Sequence, residues 1–112
     1  MDEYHALSDK AMDDILATLE EVVETRGNTN HEVDYHSGVL TLHLGQSGTY
    51  VINKQPPNKQ IWLSSPISGP KRYDYHEETR TWVYSRDNRT LDGLLSEELS
   101  TIFGEPIKFS LD

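Results

Sequence analysis

The chain has 112 residues, no cysteine and a formal net charge of −9. This length predicts a single domain with one hydrophobic core, spanning residues 1–112. The lack of cysteine excludes disulfides, thiolate metal sites, cysteine nucleophiles and cysteine-ligated iron–sulfur clusters. Any metal must therefore be held by carboxylate, imidazole, amide or water.

No stretch of the sequence approaches the roughly 20 apolar residues of a membrane-spanning helix, so we expect no membrane association. The N-terminus has neither the hydrophobic core of a signal peptide nor an Arg- and Ser-rich amphipathic leader. If the protein is imported into an organelle, we expect this chain to be the mature form with an added Met1.

Most of the negative charge lies near the N-terminus. Residues 1–34 carry ten acidic and two basic side chains, whereas residues 35–73 carry four basic ones and no acidic one. Such a distribution steers cations or basic partners to one side of the molecule and acidic partners to the other. The basic side is too thin for nucleic acid to be the main ligand.

The first predicted element is an amphipathic helix over residues 4–25, where apolar residues recur at steps of three and four. Gly27 is expected to end this helix in a left-handed conformation. Four carboxylates fall within about 60° of one another, opposite the apolar stripe, at 100° per residue. We call them the acidic ridge: Asp9, Asp13, Glu20 and Glu24.

The acidic ridge allows two interpretations. Like charges four residues apart cost a few tenths of a kcal/mol per pair, so the fold gains nothing from them and a cation from outside would satisfy them. The alternative is a solvated face that keeps the protein soluble. Glu32 and Asp34 open the first strand and would extend the same surface.

A cation on this ridge would be held loosely. Carboxylate oxygens suit hard cations such as Mg, Ca, Mn and Fe, and exposed carboxylates on one helix leave most coordination positions to water. Binding is therefore expected to be weak and exchangeable. His5, near the start of the ridge, is either a nitrogen ligand or an unremarkable exposed side chain.

Between residues 32 and 85 the apolar period changes to two, which predicts strands. Short connections favour an antiparallel meander. The predicted strands cover residues 32–36, 39–44, 50–55, 60–65, 73–75 and 81–85. Trp82 is predicted to lie in the core.

The last predicted element is a helix over residues 91–103, with Thr90 as N-cap and Gly104 at its end. The tail that follows is expected to pack its apolar residues, Ile107, Phe109 and Leu111, between the two helices. Two pairs of acids, Glu77–Glu78 and Glu97–Glu98, are interpreted as solubilising. The order of elements predicts an α+β fold, a two-layer sandwich with N- and C-terminal helices packed on one face of an antiparallel β-sheet.

A second candidate surface lies on the other side of the sheet. Ile61 and Leu63 belong to the core, so Gln60, Trp62 and Ser64 face outward. An outward tryptophan among amides, near an arginine, is typical of a protein-binding hot spot. The alternative is that a loop covers the ring. The turn before Arg72 is either structural or an interaction loop that contacts an acidic partner.

Two runs of sequence, Gly48–Pro66 and Ser68–Asp74, resemble the signature of eukaryotic frataxins. The similarity extends over essentially the whole chain, including the acidic first helix, Ser37–Thr41 and Trp82–Ser85. Bacterial relatives differ around residues 53–60, so the resemblance points to a mitochondrial matrix protein.

The resemblance implies an α–β sandwich that binds iron and activates mitochondrial iron–sulfur cluster assembly. The iron-binding carboxylates of the family map onto Asp9, Asp13, Glu20, Glu21, Glu24, Glu32 and Asp34. Residues that dock on the cysteine desulfurase–scaffold complex and promote sulfur transfer map onto Asn53, Gln55, Gln60, Trp62 and Arg72. No catalytic residue is implied.

The resemblance also leaves alternatives open. The expected cargo is weakly held Fe(II) or Fe(III), and a ferroxidase acting in iron detoxification and storage is the second hypothesis. Ferrochelatase is a further candidate partner, because iron delivery to haem synthesis is attached to the family. We expect a monomer, with iron-induced oligomers as the alternative.

Overall fold

An antiparallel meander connects two helices in the computed structural model, which describes residues 2–27, 30–109 and 111. The sheet runs in the order β1-β2-β3-β4-β5-β6-β7, and every neighbouring pair is antiparallel. The elements are α1 (Asp2–Arg26), β1 (His31–His36), β2 (Val39–Leu44), β3 (Thr49–Gln55), β4 (Gln60–Ser65), β5 (Gly69–His76), β6 (Thr81–Tyr84), β7 (Arg89–Thr90) and α2 (Leu91–Phe103). The predicted α+β fold with terminal helices beside an antiparallel sheet is confirmed.

Strand β5 begins four residues earlier than predicted. Gly69 takes a φ of +84° and already pairs with Ser65 of β4. Pro70 and Arg72 then continue on the outward side, opposite Ser64 and Trp62. The predicted turn at 68–72 is therefore mostly strand, and Arg72 is held in register with Trp62. Strand β7 was not predicted, because two residues are too short to show a period.

Helix α1 ends at Arg26, but Gly27 does not adopt the predicted left-handed conformation. Its N–H donates to the carbonyl of Val23 at 3.1 Å. A Cβ at Gly27 would lie 2.6 Å from that same oxygen, so close approach rather than a positive φ favours glycine here. The predicted caps of α2 are confirmed: Thr90 accepts from the N–H of Gly93, and Gly104 has a φ of +71°.

The core lies between the helices and one face of the sheet. Inward residues alternate along each strand, as in β2, where Leu40, Leu42 and Leu44 are buried and the residues between them are not. Trp82 is 2% exposed, which confirms its predicted core position. In the tail, Ile107 and Phe109 are buried, and Leu111 packs against the core.

The interpretation of Glu98 as a solubilising surface acid was wrong. Its carboxylate accepts hydrogen bonds from the hydroxyls of Tyr50 at 2.6 Å, Ser65 at 2.7 Å and Ser68 at 2.6 Å. The Ser65 hydroxyl also accepts from the backbone N–H groups of Ile67 and Ser68. Glu98 therefore ties α2 to strands β3 and β4 and to the turn after β4.

This network sets the ionisation of Glu98. Burial acts to raise the pKa of the carboxyl, but hydrogen bonds from Ser65, Ser68 and Tyr50 outweigh it, so the pKa lies below its ordinary value near 4.5. A carboxyl with a lowered folded pKa adds stability above its unfolded pKa, and that stability is lost as the pH falls through the folded value.

We expect Glu98→Gln to lower the free energy of unfolding by about 1–2 kcal/mol at pH 7, because an amide serves the three donors poorly. The difference from wild type should shrink as the pH falls below about 4.5. Urea denaturation across pH 3–7 measures both effects. Glu97→Gln is the matched control, since exposed Glu97 makes only a surface ion pair with Arg89. A loss independent of pH would contradict the assignment.

Candidate functional site

Five predicted partner-binding residues lie together on the helix-free face of the sheet. They come from three adjacent strands, and we call them the sheet patch: Asn53, Gln55, Gln60, Trp62 and Arg72. Register places Asn53 opposite Trp62 and Trp62 opposite Arg72. Gln55 lies opposite Gln60 in the next row. Trp62 is half-buried rather than enclosed, so the prediction that it faces outward agrees with the structure.

Neighbouring side chains hold the Trp62 ring in place. The guanidinium of Arg72 lies 4.8 Å from the ring centroid, a cation–π contact that also covers one face of the indole. The indole N–H donates to Oε1 of Gln60 at 2.8 Å, and Nε2 of Gln60 donates to Oδ1 of Asp74 at 3.0 Å. These two hydrogen bonds fix the orientation of the Gln60 amide and, through it, the orientation of the Trp62 indole.

Asp74 is a member of this constellation that sequence reasoning did not select. It lies two residues after Arg72 on the same strand and opposite Gln60 in the register. Alternation along β5 was the signal that could have found it, because residues two apart share a face of the sheet.

The acidic ridge is exposed along α1, as predicted. Asp9 and Asp13 lie close enough to Tyr35 of β1 to influence it: burial, then the charges of Asp9 and Asp13, raise the pKa of its phenol. This end of the ridge therefore faces the β1 side of the molecule.

Asp9 differs from the rest of the ridge because the protein supplies its counter-charge. Nζ of Lys54 donates to Oδ1 of Asp9 at 2.6 Å, and the lysine side chain is only 12% exposed. Asp13, Glu20, Glu21 and Glu24 form no ion pair with a described residue. The uncompensated charge thus begins at Asp13.

Lys54 also contacts His5, whose Nδ1 lies 2.9 Å from the ammonium nitrogen. An ammonium can only donate, so Nδ1 accepts and the proton of the neutral ring sits on Nε2. His5 is half-buried. The structure therefore gives His5 a positioning contact that neither sequence interpretation included.

Glu32 and Asp34 do not continue the ridge in the way we expected. They alternate with the inward-packed Val33 and Tyr35 and pair with His43 and Thr41 on the outward side of β2. Both carboxylates are exposed. Strand alternation thus places them on the helix-free face of the sheet, across the edge strand from α1.

The described residues contain no group of three or more His, Asp or Glu side chains close enough to hold one metal ion together. Any cation at the ridge would therefore rely on one or two carboxylates and on water. In the part of the chain that the structure describes, neither helix is long and apolar enough to cross a bilayer.

The Frataxin-like domain family matches residues 1–105 of the chain. The mitochondrial frataxin homolog of Schizosaccharomyces pombe is 50% identical over 107 residues, which cover 96% of this chain and 68% of the relative. Mitochondrial frataxin of Arabidopsis thaliana is 43% identical over 97% of this chain and 58% of its own length. The chain thus spans between about half and three quarters of the length of the curated relatives it matches.

Two solved structures extend this likeness to the fold. A crystal structure of trimeric frataxin from Saccharomyces cerevisiae, complexed with ferrous, matches with a TM-score of 0.79 at 42% identity, over 88% of this chain and 87% of that one. Frataxin from Psychromonas ingrahamii matches with a TM-score of 0.75 at 25% identity, over 97% and 96% of the two chains.

The structure is that of a small α+β protein, a two-layer sandwich with one acidic helix and one open sheet face. On the family match and these identities, the chain belongs to the frataxin-like domain family.

We expect Lys54→Gln to lower the free energy of unfolding by about 1 kcal/mol, because it removes the partner of Asp9 and of His5. Urea denaturation of the single variants Lys54→Gln and Asp9→Asn and of the double variant isolates the coupling. Lys10→Gln, at the more exposed pair with Asp14, should cost less. Additive losses at Lys54 and Asp9 would show that the two side chains do not interact.

Proposed function

We propose that this chain is an iron-binding activator of iron–sulfur cluster assembly. The sheet patch docks on a cysteine desulfurase–scaffold complex and promotes sulfur transfer. The ridge of α1 carries Fe(II) as exchangeable cargo and donates it. The observation that supports this most strongly is the Trp62 ring, half-exposed on the helix-free face and already oriented by Arg72 and Gln60.

Preorganisation makes the sheet patch suitable for docking. A side chain that is fixed before binding loses little conformational entropy when the partner arrives. Trp and Arg are the residue types that contribute most at protein interfaces. Concave regions of about 220 and 530 Å³ lie beside Arg72, and they offer room for side chains of a partner.

The iron part of the proposal rests on α1. Its free carboxylates are hard oxygen donors, which suit iron, and the S. cerevisiae frataxin described above was crystallised with ferrous. Because no described cluster offers three ligands, water would complete the coordination shell. Weak, exchangeable binding suits delivery of iron better than storage.

The relatives from S. pombe, A. thaliana and S. cerevisiae are named mitochondrial. Their names support a mitochondrial setting, and we propose the matrix as the compartment in which this chain acts. Structures of S. cerevisiae frataxin are trimeric. We propose a monomer as the active form here, because both surfaces must be open, and iron-induced oligomers as a separate state.

We expect Trp62→Ala to abolish stimulation of a cysteine desulfurase–scaffold complex while leaving the fold intact, because Trp62 lies outside the core. Sulfide production by the complex, with and without the variant, measures this. Ile67→Ala is the matched control, since Ile67 is also a large exposed apolar side chain, 58% exposed, but lies outside the sheet patch. Normal stimulation by Trp62→Ala would defeat the docking proposal.

We expect the triple variant Asp13→Asn/Glu20→Gln/Glu24→Gln to weaken Fe(II) binding about tenfold, because a cation held by one or two of these carboxylates loses roughly 0.5–1 kcal/mol for each. Asp9→Asn should weaken Fe(II) binding less, because Asp9 already forms an ion pair with Lys54. Anaerobic NMR titration measures both affinities. A variant with the same loss of charge elsewhere, Glu78→Gln/Glu97→Gln/Glu105→Gln, is the control. Equal affinity for the two triple variants would exclude the ridge as the iron site.

The same titration in air separates the second hypothesis. A ferroxidase would oxidise Fe(II) over many turnovers on the isolated chain, and the triple variant at the ridge would lose that activity. A carrier would show binding without turnover.

A further inference from the structure

A cavity of about 300 Å³ lies where the first turn of α1 meets the connection between β3 and β4 and the end of β5. It is separate from the free carboxylates of the acidic ridge and touches the sheet patch only at its edge, near Asp74. Its volume is at the lower end of the range for ligand sites, which suits a single side chain rather than a large cofactor.

Three aromatic residues, Tyr4, Tyr75 and Trp82, are among those that line the cavity. The rings of Tyr75 and Trp82 meet edge to face, with centroids 5.2 Å apart, and Tyr4 meets Trp82 in the same way at 6.2 Å. The Tyr4 hydroxyl is already used, since it donates to the carbonyl of Gln60 and accepts from the N–H of Gln55. Tyr4 and Trp82 are only 6% and 2% exposed, so the aromatic surface open to the cavity is mainly that of half-buried Tyr75.

The indole N–H of Trp82 is an unused donor. Trp82 is 2% exposed, yet its N–H has no hydrogen-bond partner among the described residues. The fully enclosed side-chain atoms without a partner in that part of the chain are Nδ1 of His31 and the hydroxyl of Tyr73. The Trp82 N–H is thus not fully enclosed, and Trp82 is one of the residues that line the cavity. Buried donors usually find an acceptor, so this one favours a ligand that brings an acceptor.

The charge around the cavity is negative. Carboxylates of Glu3, Asp74 and Glu77 line it against the single ammonium of Lys59. Gln60 uses only Oδ1 of Asp74, so Oδ2 remains available. This balance disfavours an anion. A single metal ion would find no group of three described ligands to share it.

We propose that this cavity binds the side chain of an arginine in a polypeptide partner. A guanidinium is flat, carries only donors and stacks on aromatic rings, which matches the half-buried Tyr75 ring with carboxylates around it. The backbone carbonyl of the same arginine supplies the acceptor for the Trp82 N–H. Lysine fits less well, because its compact ammonium neither stacks nor forms paired hydrogen bonds to a carboxylate.

The test is an NMR titration of the isolated ¹⁵N-labelled chain with N-acetyl-arginine-N-methylamide, up to about 20 mM, because fragments of this size bind in the millimolar range. The two tryptophans give two indole N–H signals, and Trp82→Phe assigns them. We expect the Trp82 signal to shift saturably and the Trp62 signal, whose N–H is bonded to Gln60, to stay in place.

Three comparisons decide the chemistry. The neutral isostere N-acetyl-citrulline-N-methylamide should leave the Trp82 signal unmoved. n-Butylguanidine, a singly charged guanidinium without a backbone carbonyl, should bind at least about threefold more weakly, the cost of one hydrogen bond. Equal affinity for n-butylguanidine would overturn the polypeptide as the source of the cation, in favour of a free small molecule.

A variant pair completes the design. Glu3→Gln/Glu77→Gln removes two exposed charges from the edge of the cavity and should weaken binding about fivefold. Glu20→Gln/Glu24→Gln removes the same charge from the far part of α1 and should leave the affinity unchanged. No shift at Trp82, an equal shift with the citrulline compound, or equal affinity for both variants would overturn the proposal.

Discussion

The contact between the first turns of α1 and strands β3 and β4 determines which face of the sheet is left open. The Tyr4 hydroxyl bridges the backbone of Gln55 and Gln60, and Lys54 reaches Asp9 from the same strand. Because residues alternate along β3, a Lys54 that faces the helix forces Asn53 and Gln55 to face the other way. One strand thus separates the acidic helix from the sheet patch, and the same contacts build the wall of the aromatic cavity.

The two tryptophans illustrate how one residue type can serve opposite purposes in a small domain. Trp62 lies on the wet side, with its N–H satisfied and its ring covered on one face by Arg72. Trp82 lies on the packed side, with its ring buried and its N–H unused. In the functions we propose, the ring of Trp62 is the group offered to a partner, and for Trp82 that group is the indole N–H. A fixed orientation makes either group available without reorganisation.

Local pattern was enough to predict the helices, most strand bounds and the outward direction of Trp62, because these depend on periods of 3.6 and 2 within a short segment. What the sequence could not show are partnerships between distant residues. The pairing of Lys54 with Asp9 and of Glu98 with Tyr50 joins residues 45 and 48 apart. From the sequence, both Asp9 and Glu98 were interpreted as unpaired charges on the surface. Gly27 was misjudged for a different and local reason: close approach to the carbonyl of Val23, four residues earlier, favours glycine there rather than a positive φ.

Strand β1 lies at one edge of the sheet, where its outer backbone groups are open to strand addition by a neighbouring molecule. The apolar side chains of Val33 and Tyr35 on its inner side would favour pairing with the edge strand of a second molecule. The exposed carboxylates of Glu32 and Asp34 oppose this pairing by electrostatic repulsion. The negative charge of these two carboxylates therefore disfavours aggregation through the edge strand. Any condition that neutralises them, whether acid or a tightly bound multivalent cation, would expose the molecule to edge-to-edge polymerisation.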